Sequence, residues 1–258
     1  MSIKVIVHGG LGRMGRACVE AAMSENEIQL VSAVDRLPQD GDMGLPAGVK
    51  YFTNVAEAIK YDKPQVMIDF SIASAAFIAI ETALENGIHV VSGTTGVSQD
   101  DLEELGCKAQ ENNVCFLTAA NYAVGAVLMM SFAKKAAQYL ENAEIIEMHH
   151  DKKLDAPSGT AITTANVMLK NRPQGFVRSA DSVYLSRGED YNGIAVHSVR
   201  LPGYLARQEV HFGASGQTLT ITHNTISRDC FMPGVMLSVK EISKHVGLVQ
   251  GLDKILNI

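Results

Sequence analysis

Residues 3–7, IKVIV, are a β-branched apolar run that gives way to glycines, and residues 13–23 then repeat apolar positions at helical spacing. A second strand-like run covers 28–34, and a short helix is predicted over 55–61. Residues 66–68 lead into Asp69-Phe70-Ser71, and 73–86 have helical composition ending at Gly87. A strand over 88–92 closes on Gly93-Thr94-Thr95-Gly96. Ser98 with Asp101 three residues later forms a capping box that opens a helix to about Asn112, followed by a buried strand over 114–117. Strands alternating with helices at this spacing predict a parallel sheet covered on both faces.

The pattern changes after about residue 120. A long helix is predicted over 124–140. The later runs IAVHSVRL, QEVHFGA and TLTITHNTI read as antiparallel strands separated by Gly, Pro and Ser turns, and the last 25 or so residues return to helical periodicity. An α/β half and an α+β half are expected, with the C-terminal helices returning to the first.

Composition narrows the function classes. A 258-residue chain that is 47% hydrophobic buries a core without staples, and its net charge of -6 argues against a nucleic-acid partner. Cys18, Cys107, Cys115 and Cys230 lack C-x-x-C spacing. They read as reduced thiols of a cytoplasmic protein, with neither a disulfide framework nor a metal site. No signal peptide is visible and no run approaches the ~20 apolar residues of a membrane span, so a soluble intracellular protein without a membrane partner is expected.

The stretch VIVHGGLGRMG places Gly10-x-Gly12-x-x-Gly15 between a strand and a helix. Such glycines allow a tight turn, close approach to a pyrophosphate and close helix packing, while the helix N-terminus supplies amides for phosphate. Asp35 ends the second strand twenty residues beyond Gly15, where a carboxylate takes ribose hydroxyls. Arg36, with Arg13 assisting, suits the 2′-phosphate of NADP, so both NADH and NADPH are expected to be accepted. Gly93-Thr94-Thr95 and the stretch TAANYAVG, with Asn121 and Tyr122, fall where later strands end, the edge at which such sheets bind ligands.

The densest chemistry lies in EIIEMHHDKKLDAPSGTA, residues 144–161. If 145–153 is extended, His149, Asp151 and Lys153 share one face and His150 takes the other. A histidine and a lysine on one face can serve an anionic substrate and a proton transfer together. Gly159 and Thr160 then open a helix that can cradle a carboxylate, while Asp155 and Ser158 are candidates to cap it.

Read as E-I-x-E-x-H-x-x-x-K-x-D-x-P-S-G-T-A, this stretch resembles the signature of the 4-hydroxy-tetrahydrodipicolinate reductase (dihydrodipicolinate reductase) family of lysine biosynthesis. GxxGRMG, DFS, GTTG, ANYAVG and HNTISR extend the resemblance over nearly the whole chain. It implies an α/β fold: an N-terminal Rossmann dinucleotide-binding domain, residues 1–120 with 231–258, plus an α+β substrate and tetramerisation domain, residues 121–230, with a mixed or antiparallel sheet. It implies hydride transfer from NADH or NADPH to a cyclic dicarboxylic imine by a homotetramer. By motif position, His149 matches the proton donor or acceptor and Lys153 the proton donor, and His150, Gly159 and Thr160 match the substrate-carboxylate ligands. Gly9, Gly10, Leu11, Gly12, Arg13, Met14, Asp35, Arg36, Gly93, Thr94, Thr95, Ala119, Ala120, Asn121 and Tyr122 match the cofactor contacts.

Three departures stand out. Asp151-Lys152 replaces a common Arg-His, Ile72 replaces a basic residue, and Ala206-Arg207-Gln208 replaces Gly-Glu-His in the presumed tetramer sheet. A different small Rossmann dehydrogenase would share the glycine loop and Asp35 but would not need Pro157-Ser158-Gly159-Thr160 behind a His/Lys pair. A regulatory dinucleotide-binding protein would not need both His149 and Lys153. The remaining histidines are expected to be structural or exposed, with His223 of HNTISR a possible exception.

Overall fold

The computed structural model describes residues 2–37, 43–177 and 185–258. The chain divides into two compact units, one running up to Val124 and resuming over Asp229–Asn257, the other formed by Gly125–Arg228.

In the first unit the elements are β1 (Ile3–His8), α1 (Arg13–Ser24), β2 (Ile28–Val34), β3 (Lys50–Phe52), α2 (Val55–Asp62), β4 (Val66–Asp69), α3 (Ala73–Glu85), β5 (His89–Ser92), α4 (Gln99–Glu111) and β6 (Cys115–Thr118). The second unit holds α5 (Val124–Ala136), β7 (Asn142–His149), α6 (Gly159–Lys170), β8 (Glu189–Tyr191), β9 (Ile194–Arg200), β10 (Ala206–Ala214) and β11 (Gln217–Thr225). The chain then returns to the first unit with α7 (Met232–Glu241), β12 (Gly247–Gln250) and α8 (Leu252–Leu256).

Seven parallel strands in the order β12-β6-β5-β4-β1-β2-β3 make the first sheet. Alternate side chains enter opposite layers, as strand geometry requires. Ile6, Met67, Val90 and Phe116 face a core shared with Ile59, Ile80, Leu84 and Leu105 of the flanking helices. Local chemistry sets the helix ends. Asn54 caps α2 by accepting from the Ala56 and Glu57 amides, Ser98 caps α4 by accepting from Asp101, and Gly87 at φ +72 lets the chain leave α3.

The second sheet, β11-β10-β7-β9-β8, is mixed: β9 runs parallel to β7, whereas the other neighbouring pairs are antiparallel. The IAVHSVRL run therefore departs from the all-antiparallel reading. One face packs Ile145, Val196, Val210 and Phe212 against Met129 and Ala133 of α5 and Ala161, Ala165 and Met168 of α6.

Sequence periodicity misses three short strands. β3 and β8 have three residues each, too few for alternation to register. β12 lies inside the tail read as helical; Gly247 at φ +78 interrupts the helix, and the residues after it pair with β6 as an edge strand. The helix expected to reach Leu140 ends at Ala136, after which the Gln138 and Tyr139 amides bond three residues back in a tightened turn.

Candidate active site

In the first unit, β2 and β3 lie to one side of β1, and β4, β5, β6 and β12 to the other. Such a reversal opens a crevice at the C-terminal ends of the strands. A cavity of about 1070 Å³ is found there. Its wall includes Gly9, Leu11, Gly12, Arg13, Met14, Asp35 and Arg36 of the expected cofactor set. Gly10 lies beneath the loop instead, where a Cβ would stand 2.8 Å from Ala33 Cβ.

The loop is shaped by close backbone approach. Gly9 has φ +77, and a Cβ on it would stand 2.5 Å from the Phe70 carbonyl oxygen. A Cβ on Gly15 would stand 2.0 Å from the Gly9 oxygen, so α1 rests directly on the turn. Gly12 is the N-cap of α1 and brings no side-chain cap, which leaves the first-turn amides and the positive end of the helix dipole for an anion. Asp35 closes the loop. Its carboxylate accepts from the Leu11 amide at 2.9 Å and from the Arg36 amide at 2.8 Å, and lone pairs remain for hydroxyl donors. These residues fit a dinucleotide: amides for phosphates, a carboxylate for ribose, and space lined by Val55, Ile72 and Ile78 for an apolar ring.

Beneath this cavity Asp69 is fully buried. It bonds the His8 ring at 2.8 Å and accepts from the Ser71 and Ser92 hydroxyls at 2.7 and 2.8 Å. Burial works to raise its pKa, but His8, Ser71 and Ser92 together hold it below the ordinary carboxylate range. The Thr94 hydroxyl accepts from the Ser71 amide, so the ends of β1, β4 and β5 are stitched together.

Gly93, Thr94, Thr95, Ala119, Ala120, Asn121 and Tyr122 do not line that cavity. They follow β5 and β6 on the same strand-end edge. Gly93 has a packing reason: a Cβ there would lie 2.1 Å from the Phe70 ring. Tyr122 is buried, donates to the Ser92 carbonyl at 2.8 Å and packs on Phe70, so its side chain belongs to the core. Asn121 accepts from the Ala123 amide in a local turn, Ala119 is buried, and Thr95 and Ala120 are exposed.

In the second unit the chemistry gathers at the end of β7. Glu147 is fully buried. Its carboxylate meets His149 Nδ1 at 2.6 Å, accepts two bonds from the Arg200 guanidinium at 2.7 and 2.9 Å, and accepts from the Ser158 amide at 3.2 Å. Burial alone would raise its pKa; hydrogen bonds from His149, Arg200 and Ser198 outweigh it and hold the carboxyl at about 2. Arg200 also donates to the Asp155 carbonyl at 2.7 Å, which ties β9 to the turn before α6.

The extended reading of 145–153 stops at His149. The chain turns there, and the Lys153 amide bonds the His150 carbonyl at 3.1 Å, so strand alternation does not assign Lys153 a face. Lys153 reaches the region by another route, its ammonium held by both Asp155 oxygens at 2.7 and 2.8 Å. Asp155 is thus engaged by Lys153 and not as a helix cap, and Ser158 alone caps α6 by accepting from the Ala161 amide. Gly159 is the first residue of α6, with Thr160 next; nothing lies within 4 Å of a Gly159 Cβ, and its φ is ordinary, so backbone strain is not the reason for glycine.

Two members of this cluster escaped the sequence reading. Glu147 was detectable, because it shares a strand face with His149 and the core residue Ile145. Arg200 was not, since register alone places it beside His149. Gln208, one of the departures assigned to assembly, sits in register opposite Glu147 and donates to Thr164 of α6 at 2.8 Å. His223 pairs opposite Gln208 and packs where a Gly125 Cβ would stand; its burial lowers its pKa.

A parallel sheet with a glycine-loop cavity at its switch point, joined in one chain to a His/Lys centre on a mixed sheet, defines a nicotinamide-dinucleotide oxidoreductase. Residues 3–122 match the family model of dihydrodipicolinate reductase, N-terminus, and residues 125–256 that of dihydrodipicolinate reductase, C-terminus. The chain is 45% identical over 260 residues to a 4-hydroxy-tetrahydrodipicolinate reductase of Dehalococcoides mccartyi, covering 99% of both. It is 45% identical over 262 residues to one of Moorella thermoacetica, covering 99% of this chain and 98% of the relative. The structure of dipicolinate-bound dihydrodipicolinate reductase from Paenisporosarcina sp. TG-14 superposes with a TM-score of 0.90 at 38% identity, over 98% of this chain and 99% of that one. The chain belongs to the dihydrodipicolinate reductase family and is an oxidoreductase of the diaminopimelate route to lysine.

Proposed function

We propose that this chain reduces 4-hydroxy-tetrahydrodipicolinate to tetrahydrodipicolinate, using either NADH or NADPH held in the glycine-loop cavity. The observation that carries the reading is the Glu147-anchored His149 beside the Lys153–Asp155 pair and the open N-terminus of α6. Substrate and product differ by one oxygen: the hydroxyl and a ring proton leave together as water, and reduction adds a hydride and one proton to the ring.

The bound nicotinamide supplies the hydride. The α1 amides and Arg13 hold its phosphates, and Asp35 takes a ribose. Arg36, exposed at the cavity wall, meets a 2′-phosphate when one is present. Ile72, 65% exposed, adds no second cation, which leaves NADH competitive. Gly93–Thr95 and Ala119–Tyr122 are assigned to the nicotinamide end.

The substrate's two carboxylates are assigned to His150 and to the α6 amides at Gly159 and Thr160. A glycine at a helix start costs conformational entropy without structural return when its φ is ordinary and its Cβ space is empty. A carboxylate lying in that space accounts for it. Lys153 exchanges Asp155 for a substrate carboxylate and delivers the proton that quenches ring charge; His149 orients the ring or relays that proton. Among the described residues no three metal-ligating side chains cluster and no helix is long and apolar enough to cross a membrane. The reading includes a cytoplasmic homotetramer assembled through the mixed sheet, with no nucleic-acid partner.

A coupled assay tests it. The preceding synthase generates the labile substrate in place, and oxidation of NADH or NADPH is followed optically. Synthase-dependent oxidation of both cofactors is expected; none with either would refute the assignment.

A further inference from the structure

We propose that Glu147 is the positioning residue of this site, fixing His149 as the tautomer with its proton on Nδ1 and so making Nε2 the working nitrogen. The inference rests on the reading that His149 serves the substrate.

An ionised carboxylate can only accept hydrogen bonds, so the imidazole nitrogen 2.6 Å from Glu147 must be the one that bears hydrogen. Glu147 is kept ionised by its surroundings. Arg200 grips both oxygens, the Ser158 amide donates to one of them, and the carboxyl titrates at about 2. A neutral carboxylic acid could donate to the ring and reverse the tautomer; this one cannot near neutral pH. Nδ1 is thereby committed to the protein. Nε2 alone remains to accept a proton or to give one.

The same carboxylate sets distances as well as protonation. One oxygen holds the Ser158 amide, the residue that caps α6, while the other holds the ring. Arg200 bridges Glu147 to the carbonyl of Asp155, the partner of Lys153. Imidazole, carboxylate cradle and lysine turn therefore hang from one buried group. Glu147 and His149 project from one strand face two residues apart, and Arg200 arrives in register from the neighbouring strand, so the geometry is set by rigid sheet.

A merely structural carboxylate would affect turnover independently of His149. A positioning carboxylate acts only through it, so a double-mutant cycle discriminates. In the full-length protein, Glu147→Gln is expected to lower kcat about 10- to 100-fold, by analogy with the loss of the hydrogen bond that orients a metal-bound imidazole. The KM for NADH should stay unchanged. In a His149→Gln background, the same substitution should cost no more than about 2-fold. Nitrogen-15 spectra of His149 should show Nδ1 protonated in the parent protein and a tautomer mixture in the variant. Should Arg200, left without a counter-charge, unfold Glu147→Gln, the Glu147→Met/Arg200→Met pair removes both charges and carries the same spectrum and cycle. Equal losses in the two backgrounds, or a bare Nδ1 in the parent, would overturn the assignment. Full activity of His149→Gln would instead remove the functional reading, while the spectrum still decides what Glu147 does to the ring.

Discussion

Asp69 and Glu147 are both fully buried carboxylates near strand ends, both bond a histidine through Nδ1, and both have depressed pKa values. Their remaining partners differ. Asp69 is satisfied by two serine hydroxyls, and its job is to hold the strand ends that wall the dinucleotide cavity. Glu147 faces a permanent cation in bidentate geometry and the amide of a helix-capping residue, and on the proposal above it holds the imidazole that serves the substrate. Both carboxylates stay ionised at a working pH and place hydrogen on the Nδ1 of their histidine; what sets Glu147 apart is the permanent counter-charge of Arg200, where Asp69 has serine hydroxyls.

Substitutions at the two ends should separate accordingly. The largest effect is expected on the Glu147 side: His149→Gln should lower kcat at least about 100-fold, the scale of losing a positioned acid or base, with NADH affinity by calorimetry unchanged. Next, Gly159→Val should raise the substrate KM by about 10- to 100-fold, as a side chain displaces a carboxylate worth ~1.5–3 kcal/mol of charge-assisted hydrogen bonding. Its melting curve should move little, because nothing crowds that Cβ. Equal damage to nucleotide binding would return the turn to the fold. On the cavity side, Arg36→Ala should raise the KM for NADPH about 10-fold while leaving that for NADH nearly intact; equal losses would sink the phosphate assignment. The smallest effect on turnover should come from Asp69→Asn, which loses ~1–3 kcal/mol of stability by urea titration while kcat at saturating ligands stays within a few-fold.

The two carboxylates share one pH signature. Each has a folded pKa below its unfolded value, so the unfolded chain binds more protons in acid, and the stabilisation is full above the unfolded pKa and lost as pH falls. For Glu147 that window runs from its ordinary value of 4.5 down to about 2. Urea midpoints measured across it should fall more steeply for the parent than for Glu147→Gln; identical slopes would contradict the ionised-carboxylate account.

Much of this was legible in the chain. Strand–helix alternation marks the α/β half because long periodic segments and Gly, Ser and Asn punctuation agree there. The glycine loop and Asp35 sit where the pattern places them, around one cavity. Short edge strands such as β12 were not legible, since four residues, Gly-Leu-Val-Gln, are too few for a period to separate helix from strand. The alternation argument for Lys153 failed because the chain turns after His149, an event set by the His150–Lys153 backbone bond and not by residue type. Arg200 enters through register with β7, 53 residues from Glu147, and no local pattern encodes that meeting. Tyr122 shows the converse: a motif residue whose side chain proves to be core.

The most direct test of the central claim compares Lys153→Ala with Lys152→Ala in the synthase-coupled reduction at saturating NADH. Lys153 is partly buried and held by Asp155, whereas Lys152 is exposed in the adjoining turn. The account predicts that kcat falls at least about 100-fold in Lys153→Ala, the cost of a lost proton donor, and less than about 3-fold in Lys152→Ala. Full activity in Lys153→Ala, or a larger loss in Lys152→Ala, would contradict it.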